Sequence, residues 1–154
     1  MAAEFRYHRQ VQFAETDLAG IVHFSMMFRY MEEAEHALWR AAGLSIAEPG
    51  SHIGWPRVSA ACEFRNRLHF EDEFEVWVRL AEVKTRTLEY EFTIVRGETV
   101  IAVGTITSVC VKKGPNSMKA IEIPAEVIDK LRQVLDGVPS ALHQDSKGRR
   151  HEPA

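Results

Sequence analysis

The spacing of apolar residues changes along the chain, and each change marks a different predicted element. From Phe5 to Phe13, mostly apolar residues alternate with mostly polar ones, which is the period of a half-buried β-strand. From Ser25 to Ala42, apolar residues recur at steps of three and four, the period of an amphipathic α-helix, and Gly43 stands where helices commonly end. The sequence therefore predicts a strand followed by one long helix.

After a loop rich in Pro, Gly and Ser at residues 48–56, an alternating pattern returns and predicts antiparallel strands. The predicted strands are Val58–Phe64, Phe74–Leu80, Leu88–Ile94 and Thr99–Lys112. Gly97-Glu98 predicts a tight hairpin turn before the last strand. We expect that strand to be central and covered on both faces, because it is apolar at nearly every position. Pro124 opens a short second helix through Leu135.

This order of elements predicts an α+β domain with a curved antiparallel β-sheet wrapped around one long α-helix. A single helix cannot cover both faces of such a sheet, so we expect a dimer that extends the sheet. The predicted domain spans residues 1–136. Residues 137–154 mix Pro, Ser, Lys, Arg and His without periodicity, so we expect them to form a polar, disordered C-terminal tail.

Composition and charge favour a soluble cytoplasmic protein that binds neither nucleic acid nor membrane. The 19 basic and 22 acidic residues leave a net charge of −3, so no overall field attracts either partner. The N-terminus lacks the apolar core of a signal peptide, and the longest apolar run, Val100–Val111, is too short for a membrane helix. Cys62 and Cys110 lie in predicted strands without metal-ligand spacing, so we expect buried thiols in a reducing compartment.

The segment Phe13-Ala-Glu-Thr-Asp17-Leu-Ala-Gly20-Ile-Val-His-Phe24 is the most informative part of the chain. It places a carboxylate and a glycine just before a helix start, where backbone N–H groups lack intrahelical partners. This arrangement suits attack on a carbonyl, because the carboxylate can act as nucleophile or general base while an N–H stabilises the oxyanion. The alternative is structural, since an Asp before a helix commonly caps it.

Other polar residues give weaker signals. His23 could shuttle a proton, but a single loop histidine without a partner is more often packed or solvated. Glu32, Glu33 and Glu35 mostly occupy the polar side of the predicted helix, where solvation is the default. Lys84-Thr-Arg86 predicts an exposed turn. The sequence has no Cys/His cluster with metal-ligand spacing and no serine hydrolase, Walker A or dinucleotide-binding fingerprint.

Five motifs between Tyr7 and Leu131 carry a family resemblance. They are Phe13-x-x-x-Asp17-x-Ala-Gly20-Ile-Val-x-Phe24, the helix ending in Gly43-Leu44, Pro56-x-Val58-Ser59, Phe70-x-Asp72 and Lys119-Ala-Ile-Glu-Ile-Pro124. In these motifs the chain resembles the hotdog-fold acyl-CoA thioesterases of the 4-hydroxybenzoyl-CoA thioesterase type. The resemblance implies a hotdog fold and a homodimer or homotetramer with acyl sites at the subunit interface.

The resemblance also implies roles for individual residues. Asp17 corresponds to the catalytic carboxylate, and the backbone N–H of Phe24 to the donor that polarises the thioester carbonyl. Gly20 corresponds to a position that permits close backbone approach. Glu32, and Ser59 from the facing subunit, border the acyl pocket. The basic residues that hold coenzyme A phosphates in the family correspond to Lys84, Arg86 and Lys119.

We therefore expect an acyl-CoA thioesterase that releases a carboxylic acid and coenzyme A. Coenzyme A is part of the substrate, and no metal or other cofactor is expected. Many relatives carry Tyr or His where this chain has Phe24, so a catalytic contribution of that side chain is absent. Two alternatives stay open, a hotdog-fold hydratase or dehydratase on acyl thioesters and a non-catalytic acyl-CoA-binding protein. The sequence leaves open the acyl group, acyl carrier protein as carrier, and the choice between nucleophile and general base.

Overall fold

The computed structural model of the chain describes residues 3–137, which form an antiparallel sheet with one long helix packed against it. The strands are β1 (Phe5–Gln10), β2 (Ile53–Gly54), β3 (Arg57–Phe64), β4 (Glu73–Val83), β5 (Thr87–Arg96), β6 (Thr99–Val109), β7 (Val111–Lys113) and β8 (Met118–Ala120). The helices are α1 (Met26–Ala41) and α2 (Ala125–Leu135), with a short 3-10 turn at Phe13–Glu15. Nearly all of the predicted tail, residues 138–154, lies outside the described residues.

The main sheet has five strands in the order β1-β4-β5-β6-β3, and every neighbouring pair is antiparallel. The registers define two ends of this sheet. The Arg57 end also contains Val83, Leu88 and Ser108. The Phe64 end also contains Val76, Ile94 and Ala102. The two ends are used below to locate the candidate site.

Helix α1 crosses the sheet and buries the inward face of its strands. The buried residues of β4 and β5 are, apart from Val95, ones that the alternating pattern predicts, and the predicted Leu80 is only partly buried; the set is Phe74, Val76, Val78, Leu88, Tyr90, Phe92 and Ile94. The Tyr30 and Phe74 rings lie 4.7 Å apart, and Trp39 Nε1 donates to the Tyr90 hydroxyl at 2.9 Å. A Cβ at Gly104 would lie 2.8 Å from the backbone oxygen of Ala61 and 2.4 Å from Met31 Cε, so the glycine makes room for the Met31 side chain of α1 against β6.

The prediction of one continuous final strand, Thr99–Lys112, is wrong. The chain leaves the main sheet at Cys110, whose N–H donates to the Arg86 carbonyl and whose own carbonyl accepts from Ile121. The residues that follow belong to a second sheet of order β2-β7-β8. Strand β6 is buried mainly at alternate positions, so residues 3–137 cover only one of its faces. Coverage of the second face stays a prediction that depends on the expected dimer. Strands β2 and β8 have two and three residues, too few for a detectable alternation.

The expectation that Glu35 lies on a solvated helix face is also wrong. Its side chain is 1% exposed, and its carboxylate accepts from Arg57 Nη1 at 2.8 Å and Nη2 at 2.5 Å. Arg57 Nη2 also donates to Glu32 Oε2 at 3.1 Å, and Glu32 itself is exposed. Glu35 follows the buried Met31 by four residues, so the helical period turns it toward the sheet. The ion pair joins α1 to strand β3.

Strand β3 is an edge strand, and most of its side chains are exposed. Within residues 3–137 it pairs only with β6 and leaves its other edge open. Val58 is 60% exposed and Phe64 48% exposed, although both are large apolar residues. The predicted strand at these positions is confirmed, but the burial of its side chains is not provided by this chain alone. In the same described region, no helix has the length and apolarity needed to span a membrane.

Candidate active site

A tight turn at residues 17–20 folds the signature segment back on itself. The Asp17 N–H donates to the Ile21 carbonyl at 2.9 Å, and the His23 N–H donates to the Glu15 carbonyl at 2.9 Å. Gly20 adopts φ of +77°, a conformation that side chains with a Cβ rarely take. Residues 15–17 and 21–23 therefore form a short antiparallel ladder directly before α1.

The Asp17 side chain is exposed and stabilises its own turn. Its Oδ1 atom accepts from the Ala19 N–H at 2.8 Å, and no donor among the described residues contacts Oδ2. Ser25, not Asp17, occupies the N-cap position of α1. The interpretation of Asp17 as a cap of that helix is therefore wrong, because the intervening turn carries the carboxylate away from the helix axis.

The backbone N–H of Phe24 is the free donor expected at the helix start. Within the described residues it has no hydrogen-bond acceptor, although the amides around it are engaged. The Ser25 N–H contacts His23 Nδ1 at 3.3 Å, and the Met26 N–H donates to the His23 carbonyl at 2.9 Å. An incoming carbonyl oxygen can therefore bind this N–H without displacing a protein acceptor.

Asp17 and Phe24 line one cavity of about 750 Å³. The ladder and the start of α1 form one wall, and residues 64–69, which begin at the last residue of β3, form another. Its apolar lining consists of Ile21, Val22, Phe24, Met27, Phe64 and Leu68. Its polar lining consists of Asp17, Arg65, Asn66, Arg67, His69 and Arg96. The cavity thus combines an apolar floor, one carboxylate and three guanidinium groups.

The structure places the other predicted site residues away from this cavity. Ser59 is exposed on β3, and Glu32 is held by Arg57, both toward the Arg57 end of the sheet. The exposed basic residues Lys84, Arg86 and Lys119 lie in the β4–β5 turn and in β8. The length of β4, roughly 33 Å at 3.3 Å per residue, separates that turn from the Asp17 end. One chain does not bring these residues together with Asp17.

Gly20 is required here by its backbone conformation. A Cβ at this position would meet no atom of the described residues within 4 Å, but its positive φ is one that residues with a Cβ rarely adopt. The turn that presents Asp17 depends on this conformation. The close backbone approach that the resemblance implies for Gly20 stays a prediction.

The remaining candidates, His23 and the two cysteines, are not among the residues that line the cavity. His23 is exposed, its Nδ1 lies 2.7 Å from Ser25 Oγ, and its ring lies 4.6 Å from the Phe24 ring. Cys62 and Cys110 are free thiols, and burial raises the pKa of both. Across residues 3–137, no three His, Cys, Asp or Glu side chains gather closely enough to hold a metal ion.

The sequence analysis missed a buried polar cluster under the ladder. Arg9 donates to both Glu15 and Glu33, and the Tyr30 hydroxyl donates to Glu15 Oε1 at 2.8 Å. Burial alone would raise the pKa of Glu15, but hydrogen bonds from Arg9, the Gln12 N–H and Tyr30 lower it overall. A signal was available, because Arg9 shares the inward phase of β1 with apolar neighbours and needs a buried partner.

Comparisons with known proteins identify the superfamily to which this chain belongs. A sequence profile of the thioesterase-like superfamily matches residues 11–131. The chain belongs to this superfamily. A protein of Aquifex aeolicus named as an esterase is 34% identical over 131 residues, which cover 83% of this chain and 98% of that protein.

Two solved structures extend the comparison. A gentisyl-coenzyme A thioesterase has a TM-score of 0.75 and 29% identity, covering 82% of this chain and 99% of its own. A variant of 4-hydroxybenzoyl-CoA thioesterase in complex with 4-hydroxybenzoyl-CoA has a TM-score of 0.76 at 19% identity, covering 84% and 99%, which shows the fold alone. The hotdog fold and the resemblance to this family are confirmed, and the chain is a thioester hydrolase of the superfamily.

Replacing Gly20 by Ala tests whether the turn serves catalysis. We expect Gly20→Ala to lower the free energy of unfolding by roughly 1–2 kcal/mol, the cost of a left-handed conformation for an L-residue. Because the turn would relax and move Asp17, we also expect a lower kcat for thioester hydrolysis. Urea unfolding and a thiol-release assay measure the two effects.

Gly97→Ala is the matched control for this variant. Gly97 also has positive φ, at +59°, and open space around the added Cβ, but it lies in the β5–β6 hairpin. It should lose similar stability and keep its kcat. Equal losses of kcat in the two variants would show that the turn at Gly20 has no special role.

Proposed function

We propose that this thioester hydrolase cleaves acyl-CoA in the Asp17 cavity, releasing a carboxylic acid and coenzyme A. One observation carries the proposal: the same cavity is lined by Asp17, whose carboxylate is exposed, and by Phe24, whose backbone N–H has no acceptor among residues 3–137. A thioester carbonyl entering between them would meet the Phe24 N–H at its oxygen and Asp17 at its carbon. These are the two groups that acyl transfer requires.

Asp17 would act by one of two routes. As a nucleophile, its free oxygen attacks the carbonyl carbon, the thiolate leaves, and water hydrolyses the resulting mixed anhydride. As a general base, it takes a proton from water, and the hydroxide attacks the same carbon. In both routes the Phe24 N–H stabilises the negative oxygen of the tetrahedral intermediate. Both routes consume one water and give the same two products.

The thiolate leaving group explains why Asp17 and the Phe24 N–H can suffice for catalysis. A thiol is a much stronger acid than an alcohol, so its thiolate departs with little help from a protein acid. The proposed reaction accordingly uses no metal and no redox cofactor. We also propose a cytoplasmic location, which the free thiols of Cys62 and Cys110 support, because disulfides are rare in that compartment.

We propose aromatic acyl groups as the substrate class. The apolar floor of the cavity includes the Phe24 and Phe64 rings, whose centroids lie 6.2 Å apart in an edge-on arrangement. Aromatic rings favour such geometry with a further ring. The gentisyl-coenzyme A thioesterase, at 29% identity, acts on a substrate named for an aromatic acid. Short-chain and longer aliphatic acyl-CoAs, and thioesters on acyl carrier protein, are the competing substrates for the same assay.

We propose a homodimer as the working unit, formed through the open edge of β3. Antiparallel pairing of two β3 edges would continue the sheet across the dimer and cover exposed side chains such as Val58 and Phe64. A homotetramer would then be a pair of such dimers. Analytical ultracentrifugation measures the assembly directly.

The same dimer would complete the substrate site. Antiparallel pairing reverses one chain relative to the other, so the Arg57 end of one sheet lies beside the Phe64 end of its partner. Ser59 and the cluster of Lys84, Arg86 and Lys119 would thus approach the cavity of the partner subunit. We propose that these basic residues bind the phosphates of coenzyme A held at that cavity, since exposed Lys and Arg bind phosphate at little desolvation cost.

Asp17→Asn tests the proposed chemistry. Asn keeps the oxygen that accepts from the Ala19 N–H, so the turn should survive, while nucleophile and base are lost. We expect kcat for aromatic acyl-CoA to fall about 10²–10⁴-fold, the usual contribution of a catalytic base. The measurement is a thiol-release assay across aromatic and aliphatic acyl-CoAs.

Asp129→Asn, on the exposed face of α2, is the matched control because it removes the same charge from a residue that does not line the cavity. This control variant should hydrolyse acyl-CoA at the wild-type rate. Near-normal turnover by Asp17→Asn would remove Asp17 from the mechanism. Turnover of enoyl-CoA without thiol release would support a hydratase in its place.

A heterodimer tests whether the phosphate contacts cross the interface. Lys84→Ala with Arg86→Ala should raise KM about tenfold or more for acyl-CoA, the value of lost charge-assisted hydrogen bonds, and leave acyl-pantetheine unaffected. When this double-variant chain is paired with an Asp17→Asn chain, the one intact Asp17 faces intact Lys84 and Arg86. The heterodimer should therefore regain the original KM.

The control heterodimer pairs a wild-type chain with a chain that carries Asp17→Asn, Lys84→Ala and Arg86→Ala together. Its intact Asp17 faces a partner without the basic side chains, so its KM should stay high. The opposite ranking of the two heterodimers would place the phosphate contacts within one chain.

A further inference from the structure

The carboxylate of Glu15 lies directly beneath the ladder and is almost completely hydrogen-bonded. Glu15 is 8% exposed. Its Oε1 atom accepts from the Tyr30 hydroxyl and the Gln12 N–H, each at 2.8 Å, and from Arg9 Nη1 at 3.0 Å. Its Oε2 atom accepts from Arg9 Nη2. A carboxylate offers about four acceptor positions, and these four hydrogen bonds occupy them. Together they fix the position of the Glu15 side chain.

The donors to Glu15 come from three separate parts of the fold. Arg9 lies on β1, Gln12 precedes the 3-10 turn, and Tyr30 lies one turn inside α1 with no exposed surface. The Arg9 guanidinium carbon also lies 5.1 Å from the centroid of the Tyr30 ring. The sheet edge and the helix that supplies Phe24 are therefore joined through one buried carboxylate.

The backbone of Glu15 continues this connection into the cavity. Its carbonyl accepts the His23 N–H, and Phe24 is the next residue in the chain. Asp17 follows Glu15 by two residues and is tied to Ile21 by the second rung of the ladder. Movement of Glu15 would thus displace both the carboxylate and the free N–H that face the substrate.

We infer that Glu15 is a positioning residue for thioester hydrolysis, which fixes Asp17 relative to the Phe24 N–H through Arg9 and Tyr30. This inference rests on the roles proposed for Asp17 and Phe24. Glu15 itself does not line the cavity and touches no substrate. Its effect therefore belongs to kcat and not to substrate binding.

Glu15→Gln and Tyr30→Phe test the inference from two sides. Gln keeps the size of the side chain but places an amide group, itself a donor, against the Arg9 donors. Phe removes only the Tyr30 hydroxyl. In each variant we expect kcat to fall about 10–100-fold, the scale of a misplacement of about 1 Å in a catalytic group. KM for the acyl-CoA should stay unchanged, because the cavity lining is intact.

Tyr7→Phe is the matched control. The Tyr7 hydroxyl donates to Glu33 at 3.0 Å, at the far side of the same cluster, and contacts neither Glu15 nor the ladder. Its removal should leave kcat unchanged. Because Tyr30→Phe and Tyr7→Phe both delete one phenol oxygen from this cluster, a difference between them reports on the ladder and not on general stability.

Hydrogen exchange supplies a local readout. In Glu15→Gln and Tyr30→Phe, the amides of Asp17 and His23 should exchange faster while amides of β4 and β5 keep their protection. Loss of kcat with this local pattern supports the inference. Unchanged kcat, or equal losses of kcat in Tyr7→Phe and Tyr30→Phe, would overturn it. If Glu15→Gln fails to fold, the Tyr30→Phe and Tyr7→Phe pair still decides between these outcomes.

The Asp17→Asn variant separates this inference from the proposed function. Full activity in Asp17→Asn would contradict the proposed function, whatever Glu15→Gln does. An inactive Asp17→Asn together with a fully active Tyr30→Phe would leave the proposed function standing and reject the positioning role of Glu15.

Discussion

Two backbone hydrogen bonds, from Asp17 to Ile21 and from His23 to Glu15, set the geometry on which the site depends. They turn a continuous stretch of chain into a ladder with a carboxylate at its tip and a helix start at its base. Without them, Asp17 would be an exposed loop residue of no particular direction. With them, the exposed Asp17 and Phe24, whose N–H has no acceptor within residues 3–137, line one cavity.

Two buried carboxylates, each paired with an arginine, stabilise the positions of the ladder and of α1. Glu15 and Glu35 are both buried carboxylates, and each is held by an arginine from an edge strand, Arg9 on β1 and Arg57 on β3. A buried carboxylate without its cation would be costly, so both pairs constrain the helix, Glu35 directly as a residue of α1 and Glu15 through the hydroxyl of Tyr30 on α1. Helix α1 is thereby held at both edges of the five-stranded sheet, while apolar side chains fill the centre.

Periodicity predicted the long helix and the buried faces of β4 and β5 because each of these spans several repeats of a pattern, and the turn residues Gly97-Glu98 predicted the hairpin. It failed where the deciding interaction is distant in sequence. The break at Cys110 follows from bonds to Arg86 and Ile121, and the burial of Glu35 follows from Arg57. The segment at residues 64–69 that faces Asp17 carries no motif, so only the folded chain identifies it as part of the cavity.

A crystal structure of the Asp17→Asn variant with an uncleaved aromatic acyl-CoA tests the account most directly. The account predicts the thioester oxygen about 2.7–3.1 Å from the Phe24 nitrogen, the distance of an oxyanion donor. The side chain at position 17 should lie on the other side of the same carbonyl group. A thioester bound outside the cavity, or a carbonyl oxygen held by another donor while the Phe24 N–H stays unused, would contradict it.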